Sequence, residues 1–161
     1  MNSAARSPSE NGPSTWTHPT ARLVKACTLA VLLICLAVSS KTLARSQQVK
    51  IKIGSTAFTA TLDDSSTAKA FSAQLPMTIM MTELNTNEKF FDLPRNLPTR
   101  PSTPGTIQTG DLMLYGSRTL VLFYSSFTTT YSYTRLGRIH NPKGLAAALG
   151  TGNVTVTFEA R

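Results

Sequence analysis

The chain from about Gln47 to Arg161 predicts a mainly β fold, a closed eight-stranded barrel capped by two short α-helices. Three observations lead there. Apolar residues recur at every second position in a series of short runs, the signature of half-buried strands. Gly, Asn, Asp and Pro clusters separate these runs at short intervals. Only two stretches carry helical spacing. Short strands in this number are best satisfied by closure, which leaves no unpaired sheet edge.

The elements follow in order. Val49, Ile51 and Ile53 alternate with Lys50 and Lys52. Gly54-Ser55-Thr56 then signals a turn into a second strand bearing Phe58, Ala60 and Leu62, so the two form a hairpin. Asp63-Asp64-Ser65-Ser66 offers side-chain oxygens for a helix start. Ala68, Phe71 and Leu75 sit at helical spacing, predicting a helix over 66–75 that Pro76 stops. Period two returns at Met77, Ile79 and Met81; Asn85-Thr86-Asn87 turns the chain into a strand over Lys89–Leu93. Pro94, Pro98, Pro101 and Pro104 make the next segment a stiff loop, since proline cannot donate to a sheet ladder. Strands follow at Asp111–Tyr115, Thr119–Tyr124 and Tyr131–Arg135. The run Leu120–Tyr124 is apolar without alternation, which predicts a strand covered on both faces. Gly137 breaks the pattern, and Asn141-Pro142 opens a second short helix that ends at Gly150. Val154, Val156 and Phe158 mark the last strand.

The residues before this domain have a different character. Residues 1–21, rich in Ser, Pro, Thr and Asn, predict a disordered leader. Within residues 22–45, Arg22 and Lys25 precede an apolar run over 26–38, followed by Ser39 and Ser40. A basic flank, a short apolar run and a small-residue exit describe a secretory signal, with cleavage after Ser39 or Ala44. The run is short of the roughly 20 residues a spanning helix wants, yet an uncleaved membrane anchor is the alternative. The expected location is therefore outside the cytoplasm, periplasmic or secreted, with membrane contact only if the 26–38 segment stays attached. Both cysteines, Cys27 and Cys35, fall in this region, so the domain has neither a disulfide nor a thiolate nucleophile or metal ligand.

Eleven basic and seven acidic residues from Gln47 onward leave the domain at +4, about half the +8 of the whole chain. The basic residues are scattered singly. Nucleic-acid binding shows a clustered basic stripe, so that class of partner is not expected. A monomer without metal or cofactor is the expectation.

The segment Pro104–Ile139, PGTIQTGDLMLYGSRTLVLFYSSFTTTYSYTRLGRI, closely resembles the bacterial cyclophilin-like domain family. IGSTAFTATLDDSSTAKAF before it and NPKGLAAALGTGNVTVTFE after it extend the resemblance over Ile51–Glu159. It implies a cyclophilin-like barrel with two capping helices and no established activity. The likeness to true cyclophilins is more distant. Leu136-Gly137-Arg138-Ile139 is similar to their Phe-Gly-Lys-Val strand end. Gly116-Ser117-Arg118-Thr119-Leu120 is similar to the segment that supplies a glutamine and an aromatic wall to their proline pocket. Their catalytic arginine lies on the strand after the first helix. Here that strand, Met77–Leu84, holds no arginine.

No catalytic residue is assigned. His140 stands alone, and a nucleophilic triad needs Asp111 or Asp92 brought beside it. Asp63 and Asp64 fit helix-start roles. Glu83 lies on the strand that carries the cyclophilin arginine; facing a groove, it would meet Arg135 or Arg118. Most rings of the set Tyr115, Phe123, Tyr124, Phe127, Tyr131 and Tyr133 belong in a core. Tyrosine, however, suits a wall where apolar surface meets water, which makes Tyr124, Tyr131 and Tyr133 groove candidates. Two readings stand side by side: a non-catalytic module that binds an extended peptide or small molecule, and a peptidyl-prolyl isomerase with a relocated arginine.

Overall fold

The computed structural model describes residues 47–161. The leader and the signal or anchor segment lie outside the described residues. Ten strands and two helices follow one another as β1 Gln48–Ile53, β2 Thr56–Leu62, α1 Ser66–Ser72, β3 Met77–Leu84, β4 Glu88–Asp92, β5 Thr106–Ile107, β6 Asp111–Tyr115, β7 Thr119–Phe123, β8 Phe127–Thr128, β9 Thr134–Ile139, α2 Leu145–Leu149 and β10 Val154–Ala160. Eight of the strands close an antiparallel barrel in the order β1-β10-β3-β4-β7-β6-β9-β2. The two-residue strands β5 and β8 pair with each other apart from it.

The barrel interior is filled by the alternating apolar set. Val49, Ile51, Phe58, Ala60, Met81, Leu112, Leu114, Leu120, Leu122, Val156 and Phe158 share one core. Both helices feed it. Ser65 caps α1 by accepting the Ala68 amide at 3.1 Å, and the helix turns Ala68 and Phe71 inward. The Phe71 ring meets Phe158 edge-on at 5.8 Å. Burial of a side chain of this size stabilises by about 1.5–3 kcal/mol. Leu145 and Leu149 enter from α2.

A second, smaller core lies on the outer face of the same wall. Register decides which residue goes where: Leu112 faces Leu122, and Leu114 faces Leu120, on the inside. Met113 and Val121, paired between them, point out. There they pack with Ile107, Phe123 and Tyr133, and with partly buried Phe90 and Phe127. The unbroken apolar run of β7 is thus explained, because its inner and outer residues each have a core to enter.

Several boundaries differ from the sequence reading. α1 ends at Ser72, before 75. The strand expected at Tyr131–Arg135 starts at Thr134, and Tyr133 makes only an isolated bridge to Ser102. Gly137 lies inside β9. A Cβ there would sit 2.2 Å from the Thr61 carbonyl oxygen, so only glycine allows β9 to approach β2 this closely. α2 begins at Leu145, after a turn at Gly144 with φ of 82°, and Pro142 stays outside it.

Candidate functional site

The short strand β4 carries two charged neighbours to opposite sides of the barrel wall. Lys89 is opposite Leu122 and Glu88 opposite Phe123, so Lys89 faces the inner core and Glu88 the outer one. Each side has its own electrostatics.

On the inner side Lys89 is fully buried. Its ammonium donates to the carbonyls of Gly150 at 2.9 Å and Gly152 at 2.7 Å, and to the Glu83 carboxylate. An ammonium has three hydrogens, so every donor is used. Glu83 in turn accepts from the Tyr124 hydroxyl at 2.7 Å and the Thr86 amide at 2.9 Å. Burial pushes the Glu83 carboxyl up, but hydrogen bonds from Lys89 and Tyr124, the Lys89 charge and the Thr86 amide outweigh it and hold it below 4.5. Burial, then the bond to Glu83 and the charges of Glu83 and Glu88, push the Tyr124 hydroxyl up to about 12. This network pins the β3–β4 turn and the α2–β10 loop to one end of the barrel. Its members are mutually satisfied.

The outer side is unlike it. Glu88 is 9% exposed. Among the described residues it makes no ion pair and no side-chain hydrogen bond. Burial, and then the charge of Glu83, raise its carboxyl above the ordinary range. It lines an open cleft of about 330 Å³ with Asn87, Phe90, Tyr115, Phe127, Tyr131 and Tyr133. Ligand sites commonly start near this size, about 300 Å³. The Asn87 Oδ1 atom is buried and lacks a hydrogen-bond partner. No Lys, Arg or His lines the cleft. Tyr115 and Tyr131 stack edge-on at 6.3 Å and stand well exposed at its rim. They also line a second cleft, of about 520 Å³, with Thr99, Pro101, Gly116, Ser117, Thr130 and Ser132. The proline-rich loop is therefore a wall of this groove.

Of the six candidates read from sequence, Tyr131 and Tyr133 line the first cleft. Tyr124 turns to the inner side, on Glu83. Glu83 meets neither arginine; its cation is Lys89. Arg135 pairs with Asp63 at 3.2 Å and Arg118 with Asp92 at 3.7 Å, both half-exposed and outside both clefts. His140 bonds Thr61, while Asp111 is held by Arg138 at 2.6 Å and Asp92 by the Thr119 hydroxyl at 2.6 Å. No triad forms among them. No three His, Cys, Asp or Glu side chains among the described residues are placed to hold a metal. Sequence reasoning met Glu88 only as one of several acidic residues and Asn87 only as a turn residue, and chose neither as a candidate. The only signal was that Glu88 shares the outward phase of β4 with Phe90.

The model of the cyclophilin-like family matches residues 51–159. The chain belongs to the cyclophilin-like family. Among solved structures, this cyclophilin-like barrel is similar to a hypothetical protein from Archaeoglobus fulgidus determined in solution. The identity is 17% and the TM-score 0.57, over 72% of this chain and 95% of the archaeal one. That likeness is one of fold. Comparison with curated proteins gives no match.

Proposed function

We propose that this cyclophilin-like protein is an exported, non-catalytic binding module whose outer groove takes an extended peptide. One observation carries the reading: two clefts lie side by side and share the exposed Tyr115–Tyr131 ridge. An extended chain sends alternate side chains to the same face at about 7 Å intervals. Two adjacent recesses with an aromatic divider suit that spacing better than a single compact ligand. The absence of arginine from both linings supports binding over isomerisation. Export rests on Arg22, Lys25 and the apolar run over 26–38.

Two measurements test it. The full chain is probed against an array of random octapeptides, with and without Tyr131→Ala. Tyr131 is 64% exposed, so its truncation removes the ridge without opening a core. Peptide capture that falls by about tenfold in the variant, the scale of an aromatic hot spot, supports the groove. Capture of no peptide by the native chain overturns it, as does capture unchanged by the variant. For export, N-terminal sequencing of native protein is expected to begin between Ser40 and Gln47. An intact Met1 chain in the cytosol overturns that part.

A further inference from the structure

We propose that the cleft beside Glu88 takes a cationic side chain, the ammonium of lysine or the guanidinium of arginine, from the bound peptide. The inference rests on the peptide-groove reading and adds the chemistry of one subsite. Glu88 is nine-tenths buried and has no partner among the described residues. Every other carboxylate in the domain has a basic residue or a donor on it: Asp63, Asp64, Glu83, Asp92, Asp111 and Glu159 are all paired. An unpaired buried carboxylate is costly unless it is protonated or given a cation. The raised carboxyl of Glu88 is the same deficit seen from the unliganded side.

The rest of the lining points the same way. The buried Asn87 Oδ1 is a second acceptor without a donor. The Thr119 hydroxyl, also in the lining, is already spent on Asp92. Phe90, Tyr115, Phe127, Tyr131 and Tyr133 supply ring faces and edges around the opening. Aromatic faces attract cations, arginine most often. The apolar stem of lysine or arginine lies favourably against such rings while its head reaches a carboxylate. Glu83 does not compete for the cation, because Lys89 neutralises it from the inner side. The titratable side chains that line the cleft with Glu88 are Tyr115, Tyr131 and Tyr133, and none carries a positive charge.

The test uses three capped amino acids as probes: N-acetyl methylamides of arginine, lysine and the neutral norleucine. Each is titrated into the full chain by NMR, followed at Asn87, Glu88, Tyr115 and Tyr131. Arginine or lysine should bind at least tenfold more tightly than norleucine, and Glu88→Gln should remove that preference. A hydrogen bond to a charged partner supports an effect of about tenfold. Glu159→Gln, which deletes an exposed carboxylate on β10, is the charge control and should change nothing. The preference should also grow as pH rises through the Glu88 titration. Equal binding of all three probes, or a preference that survives Glu88→Gln, overturns the cationic subsite while leaving the groove intact. Cation binding at Glu88 with no octapeptide captured supports the subsite and removes the peptide reading. No shift with any probe overturns the subsite outright.

Discussion

Glu88 and Lys89 are consecutive residues on one strand, both largely buried, and they have opposite fates. Lys89 enters the barrel and finds one acceptor for each of its three hydrogens. Glu88 leaves the barrel and finds no protein donor or cation among the described residues, only the open cleft. The alternation of a β-strand places them on opposite faces, and what each face offers decides the rest. Burial alone does not separate a structural charge from a functional one. Saturation does: a buried charge whose valences are all used has a structural role, whereas one left open beside a cleft is the ground of the proposed cationic subsite.

The sharpest way to break this comparison is to delete the saturated member. Lys89→Met keeps the apolar stem and removes the donor. It takes the cation from the Glu83 carboxylate, which keeps only its Tyr124 and Thr86 donors, and removes the donor from the carbonyls of Gly150 and Gly152. Breaking a buried pair in this way costs about 3–5 kcal/mol, read as a lower urea midpoint. Glu88→Gln should not lower stability, since it breaks no pair and relieves the cost of an unpaired carboxylate. Equal losses in the two variants would dissolve the distinction.

A smaller effect sharpens the inner side. Tyr124→Phe deletes one hydrogen bond to the Glu83 carboxylate and should cost about 1.5–3 kcal/mol. It also carries a signature in alkali. The Tyr124 hydroxyl ionises near 10.0 when unfolded and at about 12 when folded. Its raised value favours the protonated folded form. That stability is complete below 10.0 and is lost as pH climbs towards about 12. Native protein should therefore lose stability over this window more steeply than Tyr124→Phe.

The outer side has the opposite acid response to its neighbour. The folded state raises the Glu88 carboxyl, so it favours the neutral acid; its contribution is present at low pH and lost as pH rises through the folded value. Glu83 is lowered, so its contribution is present above 4.5 and lost as pH falls through its folded value. Glu88→Gln should remove the loss on the rising side and leave the Glu83 loss in acid. Urea midpoints taken across the acid range check both signs. A Glu88→Gln profile that parallels the native one on the rising side would show that Glu88 is paired after all.

Much of this architecture is legible in the sequence, for reasons that also mark where legibility stops. The two-sided run Leu120–Phe123 announces a doubly covered strand, because a residue pointing to water is not tolerated there. β5 and β8 have two residues each, too few to display any period. The alternation of Tyr131 and Tyr133 looks like a strand but comes from two rings facing the same cleft from the segment before β9. Gly137 looks like a break because its reason, the Thr61 carbonyl of another strand, is distant in sequence. The same holds for the site. Tyr133 is buried in the outer core and only edges the cleft, whereas Tyr131 can be picked as a water-facing ring from amphipathic chemistry alone. Glu88 cannot, since what singles it out is a missing partner, and a sequence records only the residues that are there. Lys89 and Glu83 mislead for the converse reason: a cross-strand pair six positions apart is visible only once the β3–β4 register is known.

The smallest expected effect is none at all, on the rate of proline isomerisation. Rotation about an X-Pro bond must break amide conjugation against a barrier of about 18–20 kcal/mol. A positioned donor that stabilises the transition state is worth about 2.7–4 kcal/mol. β3 offers Met77, Thr78, Ile79, Met80, Met81, Thr82, Glu83 and Leu84, with no guanidinium among them. The two arginines able to replace one are engaged elsewhere, Arg118 on Asp92 and Arg135 on Asp63, and neither lines a cleft. Glu88 offers the site an acceptor where the reaction wants a donor, and in its protonated form it has a single hydrogen. A protease-coupled assay on a Xaa-Pro peptide should therefore run at the uncatalysed rate at neutral pH, for native chain and for Arg118→Ala and Arg135→Ala alike. Acceleration abolished by either substitution would restore the isomerase reading with a relocated arginine. Acceleration confined to acid pH and abolished by Glu88→Gln would instead make the outer carboxyl a proton donor to the amide, turning the open valence of Glu88 from a binding feature into a catalytic one.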